Sequence, residues 1–232
     1  MVNLYFIITL IANVMLEDGT KTYSVENIKN EEVIITGKGD SKHWIKARTL
    51  TDFTYPWENK KSNTTSFKAL HNQAWFYCLF EVKDPDVKVY VDKNDKLEVI
   101  NSDRVEIFLR KDEQMIPYYG LELDPNGRVL DYEAEYHRKF NPEWSWPAGG
   151  LIVKASRTND GYKVEVAMQK ESLIKLGLLK GNKLEAGVFR AECTSLLGDK
   201  ATMSWISWLT PASDTPDFHI PSAFGILLLS EQ

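Results

Sequence analysis

The sequence predicts an all-β protein, an antiparallel β-sandwich of the jelly-roll or immunoglobulin-like kind with one short helix. Short apolar runs recur along most of the chain. Turn residues separate them, as in Asp-Pro-Asn-Gly at residues 124–127 and Pro-Ala-Gly-Gly at residues 147–150. Because no long helical pattern lies between consecutive runs, the chain lacks the strand and helix alternation of a parallel α/β sheet.

Seven of these runs are predicted as strands, and one further segment is predicted as the helix. The strands are expected at residues 104–109, 118–124, 129–135, 151–156, 162–168, 184–193 and 202–207, and the helix at residues 170–176. No repeat, low-complexity tract or linker divides them. Residues 17–232 are therefore predicted to form one domain, a size that β-sandwiches often reach undivided.

Residues 1–16 are predicted to stand apart from this domain as a signal or an N-terminal apolar segment. Residues 4–12 have the apolar character of an export signal, although no basic residue precedes them and no small-x-small cleavage site comes before Glu17. They are too few to span a bilayer as a helix, which needs about 20 residues. The sequence favours export over a first buried strand, and hence a periplasmic or secreted location.

The charge and the cysteine content limit the kinds of partner and cofactor that the sequence predicts. The 232 residues carry a net charge of −5 and show no Lys/Arg-rich face, which argues against binding to nucleic acid or to an anionic membrane. Cys78 and Cys193 lie in apolar strands and are expected to be buried thiols, and no Cys/His spacing fits zinc. No cofactor is predicted, although a structural Ca²⁺ ion in the loop at residues 92–95 stays open.

Strand alternation separates a core face from a polar face. In residues 104–109 the three odd-numbered side chains are apolar and are predicted to lie in the core, whereas Arg104, Glu106 and Phe108 point the other way. Glu122 likewise points away from the apolar set of its own strand. One face of the sheet is therefore expected to carry acids, an arginine and aromatic rings.

Such a face has the chemistry that a sugar requires. A pyranose ring has apolar C–H faces, which pack on flat aromatic rings, and an edge of hydroxyl groups, which hydrogen-bond to polar side chains. Hydrogen bonds to charged groups are about twice as strong as those between neutral groups, and a planar arginine can bind two neighbouring hydroxyls. The composition adds seven Trp and ten Tyr, more than a core of this size needs.

Several motifs, taken in order, are typical of one family. The segments are Ser-Trp-Ile-Ser-Trp at residues 204–208, the aromatic-x-x-Pro-x-x-Phe-Gly pattern at residues 218–225, Asp-x-Val-Glu-Ile-Phe at residues 103–108, the hairpin arm at residues 118–127, the earlier hairpin at residues 65–82, and Trp-x-x-Ala at residues 44–47. Their order and spacing resemble those of family 9 carbohydrate-binding modules. The resemblance spans residues 40–229.

The resemblance implies a sugar site and also shows where this chain departs from the family. In such modules two tryptophans sandwich the terminal sugar, while acidic, amide and arginine side chains on the sheet bind its hydroxyls. The glutamate of the Val-Glu-Ile-Phe strand matches Glu106. Phe218 stands where one tryptophan is expected, and residues 98–102 contain no tryptophan at the place of the other.

Other aromatic loops could replace the missing rings. Trp57, Trp144 and Trp146 lie in loops rich in Pro and Gly, and the alternative for each is a lid over the end of the sandwich, whereas Trp205 is expected to pack in the core. Arg190 is interpreted either as a donor at the rim of the site or as a structural ion pair. The predicted ligand-binding residues are Glu106, Arg104, Glu122, Arg190, Phe218, His219, Trp57, Trp144 and Trp146, with no catalytic residue and no metal ligand.

The predicted function is non-catalytic binding of oligosaccharide or polysaccharide chain ends in glycan utilisation. Modules of this family often accompany xylan- or cellulose-degrading glycoside hydrolases, which here would be a separate chain. The first alternative is a glycoside hydrolase using Glu106 with Glu122, or Asp131 with Glu133, although 33 acidic residues make chance proximity common. The second is a haem-binding sandwich, although the chain has no Cys-x-x-Cys-His motif.

Overall fold

The computed structural model describes residues 21–231, so the apolar segment predicted at residues 1–16 lies outside the described residues. Within residues 21–231 the chain forms strands, a single α-helix and three 3-10 helices, and no helix is long and apolar enough to cross a membrane. The strands are β1 Thr22–Asn27, β2 Phe53–Tyr55, β3 Lys60–Ser62, β4 Thr65–His71, β5 Trp75–Lys83, β6 Arg104–Arg110, β7 Tyr118–Leu123, β8 Val129–Glu135, β9 Lys139–Asn141, β10 Leu151–Thr158, β11 Gly161–Gln169, β12 Leu179–Lys180, β13 Lys183–Leu197, β14 Lys200–Ser207 and β15 Gly225–Leu229. The α-helix, α1, spans Lys170–Lys175, and the 3-10 helices span Lys42–Lys46, Lys96–Asn101 and Pro221–Ala223.

The strands form two sheets that pack face to face, which confirms the predicted all-β sandwich. The first sheet has the order β10-β11-β5-β4. The second has the order β15-β13-β6-β7-β8-β9, with β14 paired to the later half of β13 and extended by β2 and β3. Strand β1 joins the two sheets, and its parallel pairs with β15 and β4 are the exception to an otherwise antiparallel arrangement of the described strands.

All seven predicted strands and the predicted helix are present, with ends that differ by a few residues. The largest difference is in β13, which continues to Leu197 and forms a long hairpin with β14. The short strands β2, β3, β9 and β12 have only two or three residues each, too few to show a period in the sequence.

Apolar and polar side chains alternate along β6 and β7 and form the core face and the polar face that the sequence predicts. Val105, Ile107 and Leu109 are fully buried in the core between the two sheets, where they meet aromatic residues of the first sheet such as Phe67 and Phe80. Cys78 and Cys193 are free thiols, both buried, as expected. The sandwich core is therefore made by one face of each sheet.

The opposite, outer face of the second sheet is also buried. Every residue of β6 and β7 is buried, because a second aromatic cluster covers the outer face. The segment at residues 217–224 and the 3-10 helix Lys96–Asn101 pack over this cluster. Phe108 lies at its centre with edge contacts to Tyr132 and Phe189 at ring-centroid distances of 6.0 and 5.0 Å. Charged side chains on this face are thus removed from water.

Gly120 is what allows Tyr132 to lie flat across β7. The two residues are cross-strand partners, and a Cβ atom at position 120 would lie 2.2 Å from the Tyr132 ring. Any larger residue would push the ring away from the sheet. Since Tyr132 carries its hydroxyl toward Glu122 and Glu106, this glycine helps to set the geometry of the polar group described below.

The variant Gly120→Ala should lower the free energy of unfolding by about 1–3 kcal/mol, because overpacking a filled site forces side chains or backbone to shift. Denaturant unfolding measures the loss. The double variant Gly120→Ala with Tyr132→Ala should lose less than the sum of the two single variants, because the clash is then gone. Additive losses would show that the ring does not depend on the glycine.

Candidate functional site

A small pocket opens on the outer face of the second sheet. Its volume is about 130 Å³, and its floor is formed by β6 and β7. Its walls come from the β2–β3 turn, β14, the β8–β9 turn and the segment at residues 216–219. The residues that line this outer-face pocket are Trp57, Arg104, Glu106, Glu122, Arg138, Trp205, Pro216, Asp217, Phe218 and His219.

Arg104 lies between two glutamates at the floor. Glu106 on β6 and Glu122 on β7 are direct cross-strand partners, a position in which two like charges destabilise a sheet. The Nε atom of Arg104 lies 2.9 Å from Oε1 of Glu106 and 2.6 Å from Oε2 of Glu122, and all three side chains are almost fully buried. The single guanidinium therefore offsets the repulsion of both carboxylates.

These close contacts leave hydrogen-bonding capacity at the floor. Although the ionic atoms are near one another, Arg104 Nε, Glu106 Oε1, Glu122 Oε2 and Tyr132 Oη have no hydrogen-bond partner of acceptable geometry among residues 21–231. One aligned bond does fix the arginine, because its Nη1 donates to the carbonyl of Ile100 at 2.8 Å. Buried polar groups are normally satisfied, so this cluster is suited to receive polar groups from a ligand.

Burial also changes the protonation of the floor. The pKa of Glu106 is raised above its ordinary value, first by burial and then by the neighbouring Glu122 carboxylate, while Arg104 opposes the change. Burial raises the pKa of Tyr132 as well, so its hydroxyl stays protonated. The floor therefore holds two acids, one of them readily protonated, beside one permanent cation.

Aromatic rings form one wall of the pocket. Phe218 stacks on Phe189 at a centroid distance of 4.1 Å and an angle of 10°. Trp57 and Trp205 contact the same phenylalanine at 5.5 and 5.7 Å, and both remain half-buried at the pocket edge. The indole nitrogen of Trp57 donates to the carbonyl of Ser213 at 2.9 Å, which fixes its orientation.

The imidazole of His219 forms another wall of the pocket. It stacks on Phe108 at 5.0 Å, and its Nδ1 lies 3.0 Å from the hydroxyl of Tyr118. Burial, followed by the charge of Arg138, lowers the pKa of His219 to about 3. The ring is therefore neutral at physiological pH and offers a hydrogen bond without adding charge.

Asp217 connects this wall to the β8–β9 turn. Its carboxylate lies 2.7 Å from Nε2 of His137 and 3.0 Å from Nη2 of Arg138, both at the turn. The same carboxylate accepts a hydrogen bond from the backbone nitrogen of His219 at 2.8 Å. These contacts hold the segment that carries Phe218 and His219 over the sheet.

Six of the nine predicted site residues line this pocket: Trp57, Arg104, Glu106, Glu122, Phe218 and His219. They come from four separate parts of the chain, which the fold brings to one face. Trp205, Arg138, Pro216 and Asp217 complete the lining and were missed. For Trp205 a signal existed, because Ile206 belongs to the core and alternation places its neighbour on the outer face.

Arg190 was wrongly placed in this site. It pairs in register with Val105, so it points into the sandwich, whereas Arg104 pairs with Ala191 and points outward. Arg190 is fully buried, with Nη2 at 2.6 Å from Asp84 and 3.6 Å from Asp103. It is therefore a structural ion pair, the alternative that the sequence left open, because strand phase alone does not reveal the register between neighbouring strands.

Trp144 and Trp146 also lie away from the pocket. Trp144 packs against Tyr119 at 4.9 Å, and Trp146 is buried in the sandwich core with its backbone nitrogen bonded to Asp131 at 2.7 Å. They cover the sandwich end, which agrees with the lid interpretation and not with a substitute platform. Asp131 and Glu133, considered as a carboxylate pair, also face the Tyr119 side of the sheet.

The side chain of Glu98 holds the loop considered for Ca²⁺, residues 92–95. Glu98 accepts hydrogen bonds from the backbone nitrogens of Asp92 and Lys93 at 3.1 and 2.6 Å and also binds Arg128. In residues 21–231 no group of three or more His, Cys, Asp or Glu side chains is arranged to hold a metal ion.

A wider cleft of about 730 Å³ lies elsewhere on the protein, so size alone does not select the outer-face pocket. The smaller pocket is the better candidate because it joins half-buried tryptophans to a buried ionic floor whose hydrogen-bond geometry is incomplete. Binding sites characteristically combine apolar walls with a few convergent polar groups.

Comparisons with known proteins agree with the β-sandwich fold. The sequence profile of the family described as carbohydrate family 9 binding domain-like matches residues 35–232. Among curated proteins, no sequence matches significantly.

Solved structures share the fold at low sequence identity. A family 9 carbohydrate-binding module from Caldicellulosiruptor kristjanssonii in complex with glucose superposes with a TM-score of 0.59 at 17% identity, covering 91% of this chain and 97% of that one. The same figures hold for its complex with cellotriose, except that 95% of that chain is covered. A candidate carbohydrate-binding protein from Bacteroides uniformis gives a TM-score of 0.65 at 17% identity, with 91% and 100% covered.

The raised pKa of Glu106 predicts that stability falls with rising pH above about pH 6.5. In this range the folded protein holds a proton on Glu106 that the unfolded chain has lost, whereas His219, whose pKa is lowered by burial, is neutral in both states. The free energy of unfolding should therefore decrease as pH rises from about 6.5 through the raised pKa of Glu106, about 8. Denaturant unfolding at several pH values measures the slope.

The slope should be shallower in Glu106→Gln, which cannot titrate, and unchanged in the control Glu135→Gln, an exposed acid on β8. Burial also raises the pKa of Asp103, which adds a slope of the same sign in every variant. An identical slope in wild type and Glu106→Gln would contradict the proposed burial of an ionisable floor.

Proposed function

The chain belongs to the carbohydrate family 9 binding domain-like family, and we propose that its outer-face pocket binds the end of an oligosaccharide or polysaccharide chain without cleaving it. One observation carries this proposal: half-buried tryptophan rings border a cavity whose floor is a buried Arg104, Glu106 and Glu122 cluster. The tryptophan rings can pack on the apolar faces of a sugar ring, and the ionic floor can bind its hydroxyl groups.

The apolar faces of the sugar ring pack against Trp57 and Trp205. Both indoles are accessible at the pocket edge, and both contact Phe218, which gives them a rigid backing. Phe218 itself is 5% exposed and stacked on Phe189, so it supports the platform and does not form it. The family pattern places its two tryptophans at position 218 and near residues 98–102, where this chain has none. Trp57 and Trp205 therefore replace them as the stacking surfaces.

The hydroxyls of the sugar bind the polar floor. Arginine donates, the Glu122 carboxylate accepts, and the carboxyl group of Glu106 donates when it is protonated and accepts when it is ionised, so adjacent hydroxyls that act as both donor and acceptor are matched. The neutral imidazole of His219 and the guanidinium of Arg138 add partners at the sides. Because the ionic floor is buried, its hydrogen bonds are stronger than they would be in water.

The size of the pocket supports recognition of a chain end. A cavity of about 130 Å³, closed below by the sheet and at the side by residues 216–219, leaves room for about one sugar ring and not for a chain passing through. The complexes of the neighbouring Caldicellulosiruptor module with glucose and with cellotriose support a ligand of this class.

The arrangement of the carboxylates supports binding without hydrolysis. A glycosidase places its two carboxyl groups on either side of the scissile bond, with separations of about 5–5.5 or about 6.5–9.5 Å. Here both carboxylates contact the same nitrogen of Arg104 and lie together beneath the ligand position. A role in glycan utilisation with a separate glycoside hydrolase, and export from the cytoplasm, stay predictions from the sequence.

Trp57→Ala and Trp205→Ala should each weaken binding of cellotriose about tenfold, corresponding to about 1.4 kcal/mol, because each removes a stacking surface. Calorimetric titration measures the dissociation constant. The matched control is Trp75→Ala, a half-buried tryptophan on the outer face of the first sheet, which should bind as wild type does. Folded Trp57→Ala and Trp205→Ala proteins with unchanged affinity would rule out the platform.

Glu106→Gln should also weaken binding, and the wild-type protein should release no reducing ends from the oligosaccharide. The two assays separate the alternatives, because sustained hydrolysis that disappears in Glu106→Gln would establish an enzyme.

A further inference from the structure

A second, wider cleft lies apart from the outer-face pocket. Its volume is about 730 Å³, and it shares no lining residue with that pocket. Its walls come from the segment at residues 49–51, the β3–β4 turn, the end of β5 and the β10–β11 turn. The proposed function makes no use of it.

Backbone hydrogen bonds preform the cleft. The backbone nitrogen of Lys83 donates to the carbonyl of Thr64 at 2.8 Å, and that of Asp84 donates to the carbonyl of Asp160 at 2.7 Å. Gly161 permits this close approach, since a Cβ atom there would lie 2.0 Å from the carbonyl oxygen of Val82. The walls are therefore held by main-chain contacts before any ligand binds.

The lining is suited to hydrogen bonding and not to stacking. Nine of the lining side chains carry hydroxyl or amide groups, among them Thr64, Thr65 and Ser66. The one aromatic side chain that lines the cleft, Tyr162, is fully buried and offers no open ring face. A ligand must therefore be recognised by its polar groups, which suits a polyhydroxylated molecule.

The floor contains donors that the protein leaves unpaired. Thr65 Oγ1 and Tyr162 Oη are buried at the lining and have no hydrogen-bond partner within residues 21–231. Arg190 does not line the cleft, but it holds the Thr64 side chain of the wall, because its Nη1 donates to the hydroxyl of Thr64 at 2.9 Å. Buried polar atoms without partners in a cleft are places where a ligand gains hydrogen bonds.

The rim adds positive charge that is not neutralised. Lys61 and Lys83 are exposed, and neither makes an ion pair in the described part of the chain. The carboxylate of Glu81 is, by contrast, already taken by Lys163 at 2.6 Å and Lys68 at 3.5 Å. Asp160, which accepts a hydrogen bond from the hydroxyl of Thr158 at 3.1 Å, is the other acid of the lining. Two lysines outside ion pairs therefore lie near one such carboxylate, and the excess positive charge favours a ligand that carries a negative charge.

We propose that this cleft is a second saccharide site, specific for a sugar that carries a carboxylate, such as a uronic acid unit. The carboxylate binds Lys61 and Lys83 at the rim, and the hydroxyls bind the threonine and serine side chains of the walls. The site does not require the outer-face pocket to be occupied. A protein with both sites would hold a neutral chain end and an acidic unit of the same or another glycan.

An NMR titration of the full chain with trigalacturonic acid tests this proposal. The backbone amide signals of residues 62–66 and 83 should shift saturably. The double variant Lys61→Gln with Lys83→Gln should weaken this binding at least fivefold. The matched control, Lys42→Gln with Lys175→Gln, removes the same charge from two exposed lysines elsewhere and should leave the affinity within twofold of wild type.

The variant Glu106→Gln separates the two sites. It should lose affinity for cellotriose and keep its affinity for trigalacturonic acid. The second site would be overturned by an absence of shifts at residues 62–66, by equal weakening in the control double variant, or by loss of both ligands in Glu106→Gln. Equal shifts at these residues with cellotriose would overturn the preference for a carboxylate.

Discussion

The pocket depends on the contact of one guanidinium, that of Arg104, with two carboxylates at the centre of a buried sheet face. Glu106 and Glu122 lie directly opposite each other on neighbouring strands, and the two could not both stay ionised in this buried position without a cation. Removing one partner of a buried ion pair typically costs about 3–5 kcal/mol, because a charge is left uncompensated. The geometry of the floor and the stability of the sheet are therefore linked.

Burial on both faces of β6 and β7 makes this contact possible. One face of the sheet packs into the sandwich, and the other lies under the aromatic cluster around Phe108 and Phe218. The segment at residues 217–224 covers the cluster and is held down by Asp217 through His137 and Arg138. The aromatic wall and the ionic floor are thus two parts of one packed layer, and the tryptophans at its edge remain accessible.

Much of the fold could be predicted from the sequence because alternation in the longer strands is strong. The faces of Val105 and Glu106 followed from a period of two, and turn residues marked the strand ends. Three features could not be predicted. The register between β6 and β13 decides that Arg190 points inward, and a single strand contains no information about it. The pairing of β1 with both sheets, and the approach of the β8–β9 turn to Asp217, arise from contacts between distant parts of the chain.

The positions of the aromatic residues could likewise be predicted only in part. Trp205 could have been placed on the outer face, since its neighbour Ile206 is a core residue. The loops that carry Trp57 and Trp144 have similar composition, yet only Trp57 reaches the pocket, because the β2–β3 turn packs against residues 213–218 and Trp144 packs against Tyr119. Loop composition indicates which rings are candidates, but tertiary contacts decide which of them meet.

A crystal structure of the protein with cellotriose tests the central claim most directly. The account predicts that the terminal ring lies in the outer-face pocket, with an apolar face on Trp57 or Trp205 and hydroxyls within hydrogen-bonding distance of Arg104, Glu106 or Glu122. A terminal ring bound elsewhere on the protein, with the Arg104 floor unoccupied, would contradict it.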